Sequence, residues 1–303
     1  MLRDMDLRTK IRTEIETMGG RHDEPAMYGG DAGDPGLAGG PGSLSWEING
    51  DFASVSAAGM AAIIMEVLHP SVMAGVFQQS TYETEPLKRA QNTLGYVLRT
   101  TFGNTEAATS VIERVKNIHA HINGVRPDGV PYQALDPELI AWVHTCIPWA
   151  IMEAFHRYRR PLTTAERDQY LAEQAPIGRM SGADWVPETM AELDAYVERM
   201  RPLMAMNEQT RSFIGFLAGD SDGEFGVKPR KQLENRLGIA AAMSLMPTWA
   251  RQISGTYLPM TAQRLYLEPA TRLQCRVVRW AYPELPCKLL ALERATAKVA
   301  VSA

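Results

Sequence analysis

Cysteine is scarce in this chain. Its three copies in 303 residues, Cys146, Cys275 and Cys287, are too scattered for a disulfide framework and fit no zinc spacing. Positive charge is not in excess either. A formal net charge of -4 and a pI near 5.9 exclude the basic face that nucleic-acid binding requires. Long apolar runs are missing: the longest, SAAGMAAIIMEVL at 56–68, is broken by Glu66 and is too short to cross ~30 Å of hydrocarbon. The opening MLRDMDLRTKIRTEIETMGG carries charges throughout and holds no apolar signal core. These absences predict a soluble, cytoplasmic protein with no membrane span and no nucleic-acid partner.

Several catalytic motifs are absent as well. There is no Gly-x-Ser-x-Gly elbow for a serine nucleophile, and no His-Glu-x-x-His or Cys-x-x-Cys for zinc. Cys146 lies in an apolar helix near Pro148, where a thiol is inert. The stretch GGDAGDPGLAGGPGS (29–43) has no Lys-Ser/Thr after it and no strand before it. It reads as a buried or ligand-covering loop rather than a phosphate cradle. AGDSDGEFGVKPR (218–230) has the look of a calcium loop, but Phe225 stands where the turn glycine belongs and Lys231 where the bidentate glutamate belongs. It reads as a solvated turn.

What is present is helical. Apolar residues make up 45% of the chain and methionine is used sixteen times, enough for a sizeable and pliable core. Helical periodicity dominates and strand-like alternation is almost missing, so the fold class is all-α. Helices are predicted over 6–18, 52–68, 85–101, 106–122, 137–158, 164–174, 187–200, 208–217, 231–246, 262–280 and 287–299. The second should stop at His69-Pro70. DPELIAWVHTCIPWAIMEAF is apolar on nearly every face and should be the central buried helix. The length allows two domains or one large one. The apolar MSLMPTWARQISGTYLPM (243–260) suits core packing, closure over a ligand, or a homo-oligomer contact.

VIERVKNIHAHING (111–124) sets His119 and His121 one residue apart. At about 100° per residue the two rings point about 200° apart on a helix, so they cannot share a metal ion. With Val111, Val115, Ile118 and Ile122 on the buried stripe, His119 lies beside it and His121 falls among Arg114 and Asn117. His119 is therefore the candidate ligand, with a satisfied core histidine as the plain alternative. A di-iron centre would need Glu-x-x-His on two helices. EVLH (66–69) sits at a helix end, and in EAFH (153–156) the histidine belongs to the cationic cluster HRYRR, where it compensates a helix dipole. Glu66, His69, His144 and Glu153 nonetheless form an alternative non-haem set. In LKRAQNTLGYV (87–97), Arg89 and Thr93 share one helical face. They can bind an anionic or diatomic group, or be a surface arginine beside a back-bonded threonine.

GDPGLAGGPGSLSWEINGD, VLHPSVMAGV, EPLKRAQNTLGYVLRTTFG, RVKNIHAHINGVRPDGVPYQALDPELIAWVHT and YRRPLTTAERDQYLAE occur in this order over roughly residues 30–200. In order and spacing they resemble the latex-clearing-protein and mycophenolic-acid-pathway oxygenases, which are haem-dependent all-α proteins. The resemblance implies one large helical domain enclosing a haem b pocket. Residues 1–28 would be an N-terminal amphipathic helix, 29–217 the haem-binding catalytic core, and 218–303 C-terminal helices completing the same domain. His119 would be the proximal iron ligand, its second ring nitrogen held by a carbonyl or carboxylate. Arg89 and Thr93 would lie on the distal side, Arg114 would reach a propionate, and His69 and His144 would hydrogen-bond at the haem edge. Asn92 replaces a lysine that can cap the iron in rubber-cleaving members, so the distal position should be open. Glu66 is the nearest acid to those members' base carboxylate. The implied activity is oxygenation of a hydrophobic small molecule with O2 or peroxide, with C=C cleavage as the reaction; the alternative is haem binding or sensing without turnover.

Overall fold

Prolines and small polar residues decide where the helices of this chain begin. The computed structural model describes residues 2–220, 229–255 and 259–297. Helices α1 (Leu2–Gly19), α2 (Pro25–Tyr28) and α3 (Leu44–Ile48) precede the core helix α4 (Phe52–Val67). Next come α5 (Pro70–Gln79), α6 (Pro86–Phe102) and α7 (Thr105–His119). A short antiparallel hairpin, β1 (Asn123–Val125) and β2 (Pro131–Gln133), places Gly124 opposite Tyr132. Then follow α8 (Pro137–Tyr158), α9 (Thr164–Ser181), α10 (Met190–Met200) and α11 (Glu208–Ala218). The last group is α12 (Pro229–Leu245), α13 (Thr248–Ile253), α14 (Met260–Ala262), α15 (Glu268–Ala281) and α16 (Pro286–Thr296).

Proline stands in the first turn of α5, α6, α8 and α16, where its missing N–H costs nothing. Asn104 caps α7 by accepting from the Ala107 N–H, and Thr163 with Glu166 forms a capping box on α9. The all-α expectation holds, with the hairpin as the strand content of the described residues.

α8 packs most extensively against α4, and the two form the centre of the main hydrophobic core with Trp142, Ile64 and Phe155 fully buried. α12 and α15 cover α4, α9 covers α8, and α6 pairs with α7. α15 is tied to the start of α4 by Arg279, which donates from Nε and Nη2 to the two Asp51 carboxylate oxygens at 2.8 and 2.7 Å. No single helix among the described residues is long and apolar enough to cross a membrane. α4 and α5, bent by 104°, pass such a test only as a pair, and α4 is the core helix.

Several expectations change. A helix not predicted, α5, restarts directly after α4, because Pro70 is a helix opener once His69 supplies the cap. α7 ends at His119 rather than at 122, since the chain turns into β1. Its inward stripe runs from buried Ala108 and Ile112 to half-buried Val115 and His119, so His119 is on the stripe rather than beside it, while Ile118 is 52% exposed. α9 runs on through Pro176 to Ser181, and a π turn at Gln263–Leu267 interrupts the predicted 262–280 helix.

The glycine-rich loop has a structural role. Arg294 of α16 donates to the carbonyls of Asp34, Tyr28 and Phe102, and Asp34 accepts from the Thr105 N–H and hydroxyl. Gly36 has φ +69, and a Cβ there would lie 2.4 Å from the Gly103 carbonyl oxygen, so glycine is required. This loop ties α16 to the start of α7; most of it is exposed, with Ala38 and Gly40 buried, so it is a surface brace rather than the buried loop expected. The calcium-like segment falls largely on 221–228, outside the described residues, as does the end of the predicted 287–299 helix. All three cysteines are free and buried, and burial pushes the Cys275 and Cys287 thiols up to about 11 and about 12.

Candidate functional site

Helices α4, α6, α7 and α8 turn a set of ionisable side chains toward one another. Glu66 sits in the last turn of α4 as the one carboxylate of an otherwise apolar helix. Removal from water raises its pKa to about 8, against the opposing pull of the Arg89 guanidinium. Arg89, in the first turn of α6, is itself held below its ordinary pKa by burial and donates to the Ser80 hydroxyl at 2.5 Å. Seven residues along α6, on the same face and about 10 Å up the axis, stands Tyr96.

The Tyr96 ring meets the His144 ring of α8 edge to face, with centroids 5.9 Å apart. Ser181 gives its own proton to the Ile177 carbonyl, so the Tyr96 hydroxyl donates to Ser181 Oγ at 2.8 Å. Gly178 lets α9 close on this place: a Cβ there would sit 3.2 Å from the His144 Cβ and 3.0 Å from Val186. Burial drives the His144 imidazole down to about 4, and charge on His119 opposes its protonation further. His119 at the end of α7 is lowered by burial alone. Both rings are neutral at neutral pH.

Glu66, Arg89, Tyr96, His119 and His144 all keep partial accessibility, yet desolvation is the largest cause of each one's shift. These five side chains are half-buried, drawn largely out of water without being sealed from it. The donor set fits a haem. The His119 ring makes no hydrogen bond to a described residue, so a neutral imidazole with an unengaged lone pair is offered from a helix end. The carbonyl or carboxylate expected behind it is not found; its polar neighbour is His144. Among the described residues no group of three or more His, Cys, Asp or Glu is arranged to hold a bare metal ion. The non-haem set does not assemble: Glu153 is paired with Arg167 at 2.6 Å and His69 caps α5.

The remaining predicted residues scatter. Thr93 is exposed and its hydroxyl donates back to the Arg89 carbonyl at 3.2 Å, and Asn92 is exposed too. Arg114 is exposed on α7, five residues before His119 and therefore about 140° around the helix from it. His121 is exposed, bonded through Nδ1 to the Asn117 carbonyl oxygen at 2.8 Å. His69 is buried, and its Nδ1 accepts the Ser71 N–H at 3.2 Å, which leaves the ring proton on Nε2. It lines a cavity of about 910 Å³ with Pro70, Phe77, Leu203, Met204 and Gln209. The His69 N–H donates to the Glu66 carbonyl, so this cavity begins one helical turn from Glu66.

Glu66 and Tyr96 are the residues whose importance the sequence understated. The signal for Glu66 was a lone carboxylate in an apolar helix; for Tyr96 it was the i, i+7 spacing from Arg89.

Comparison with known proteins gives a family. The family model for the catalytic domain of ER-bound oxygenase mpaB/B' and rubber oxygenase matches residues 46–280. The uncharacterized proteins Mb2261 of Mycobacterium bovis and Rv2237 of Mycobacterium tuberculosis are each 27% identical over 148 residues, which is 46% of this chain and 57% of theirs. The matched part thus spans little more than half the length of these relatives. No solved structure matches.

Proposed function

The chain belongs to the mpaB and rubber oxygenase catalytic-domain family, and from that premise we propose that it is a haem b-dependent oxygenase of a hydrophobic small molecule. The observation that carries this reading is His119: a half-buried imidazole held neutral by burial, with no hydrogen bond to a described residue and His144 beside it. His119 would hold the iron on the proximal side. When bound, the haem supplies the oxygen chemistry that no side chain provides, using O2 or peroxide.

The chain's own residues divide the remaining work. Arg89 carries a desolvated positive charge facing Glu66, suited to stabilise negative charge that develops on an oxygen in the distal space. Glu66 keeps its proton at neutral pH and titrates near the working range, the property required of a general acid or base. His144, packed on Tyr96 and on α9, sits beside His119, and burial keeps both rings neutral. Thr93, already bonded to the Arg89 carbonyl, shapes that turn of α6. The 910 Å³ cavity that opens at His69 joins apolar walls from Phe77, Leu203 and Met204 to a polar rim with Arg126, Asp128 and Glu208, room for an apolar ligand that carries a polar end. The His69 Nε2–H supplies it with a neutral donor. Oxidative cleavage of a C=C bond is the reaction proposed from the family.

The test is reconstitution with haem followed by absorption spectroscopy and turnover on an isoprenoid. The expected result is a high-spin ferric Soret band, since exposed Asn92 provides no distal ligand, and Arg89→Ala that keeps haem but loses turnover at least tenfold. A haem carrier without turnover would instead show Arg89→Ala equal to wild type in every measurement.

A further inference from the structure

The last long helix carries two apolar faces, and the protein covers only one. Thr271 and Cys275 of α15 are buried on the body of the protein. Leu273, Val277 and Trp280 fall within about 60° of one another on the opposite side. All three are exposed, Leu273 at 62%. Leu265 and Tyr266, in the π turn that leads into the helix, extend the bare surface at 68% and 72%.

The exposed charges that α15 and its leading turn add beside this stripe are all positive. Arg264, Arg272 and Arg276 are exposed, and none has a carboxylate partner among the described residues; Arg272 reaches only the Arg157 carbonyl at 3.1 Å. The one acid of the helix, Glu268, is turned to Arg157 at 3.6 Å. Three arginines with no carboxylate partner among the described residues thus lie beside an apolar stripe in a chain whose net charge is -4.

We infer that α15 is an interfacial helix that seats the protein on an anionic lipid surface, with the Leu273–Val277–Trp280 stripe among the acyl chains and the arginines at the headgroups. Aromatic residues at both ends of an apolar stripe and arginines along its edge match that boundary, apolar on one side and anionic on the other. A second copy fits less well, because a symmetric contact through this stripe sets arginines against arginines with no outward carboxylate of the helix between them.

The experiment is flotation of the full chain with vesicles of phosphatidylcholine containing phosphatidylglycerol, beside vesicles of phosphatidylcholine alone. Wild type should float with the anionic vesicles, and added salt should weaken the association. Leu273→Glu with Trp280→Glu should lower the bound fraction by about tenfold or more. Arg264→Gln and Arg276→Gln should each lower partitioning by about fivefold. These positions are solvent-exposed, and circular dichroism checks that the fold is retained; if the glutamate pair unfolds the chain, the arginine variants decide alone. Absence of flotation, equal binding to uncharged vesicles, or arginine variants that float like wild type would each overturn the inference. So would light scattering that shows a dimer broken by Leu273→Glu without vesicle binding.

Discussion

At the residue scale, His69 shows a backbone contact setting the state of an imidazole. Its Nδ1 is occupied by the Ser71 N–H, and burial with the nearby Arg126 charge holds its pKa at about 4. The unfolded ring titrates near 6.5, so the unfolded chain takes up a proton that the folded one refuses as pH falls between these values. The stability this ring contributes is present above about 6.5 and is lost on acidification toward 4. His69→Asn keeps a capping acceptor and removes the titration; urea unfolding should show near-normal stability at neutral pH and a shallower acid decline. His69→Ala should cost about 1 kcal/mol at neutral pH through loss of the cap.

Glu66 has the opposite sign. Its folded pKa of about 8 lies above the unfolded 4.5, so its contribution is complete below 4.5 and is lost as pH rises through 8. Glu66→Gln in the haem-free protein should therefore flatten the fall of stability between those two pH values, measured by denaturant midpoints. A variant with an unchanged slope would mean that this carboxyl is already ionised at neutral pH.

At the element scale, the Asp51–Arg279 pair decides how α15 meets α4. Its side chains are only 10% and 17% exposed, so removing the cation strands a buried carboxylate. Arg279→Ala should cost about 3 kcal/mol or more, read as a fall in the urea midpoint, and Asp51→Asn should cost less because no charge is then orphaned. Thr163→Ala should cost about 1 kcal/mol through the capping box of α9.

The same scale shows what was legible in the sequence. α8 was bounded at Pro137 and Tyr158 because its apolar run is long and its Asp-Pro start is explicit. α5 was missed because Pro70 reads equally as the end of one helix and the opening of the next, and only the His69 cap distinguishes them. The hairpin strands, three residues each, are too short for alternation to show. The glycine-rich loop drew attention for its composition, but its purpose depends on Arg294, some 260 residues away, which no local pattern reveals.

At the scale of the whole molecule, fold class and family were both within reach of the sequence, since eleven helical stretches and several ordered segments carry them. The arrangement of the site was only half within reach. His119 follows from a two-residue spacing and a helix period, but its pairing with His144, and that of Arg89 with Glu66 rather than with exposed Thr93, arise from how α4, α6, α7 and α8 pack. Gly178 is one place where that packing is visible: Gly178→Val should push α9 off His144, lower the thermal midpoint by several degrees, and weaken haem binding through the displaced ring.

The most direct measurement is a haem titration of the purified chain followed by Soret absorption, run side by side on wild type and His119→Ala. Wild type should saturate at about one haem per chain with a Soret band. His119→Ala should lose that band while keeping its helical circular dichroism, because the ring makes no hydrogen bond to any described residue. A wild-type chain that takes up no haem, or a His119→Ala chain with the same band and the same affinity, would contradict the account.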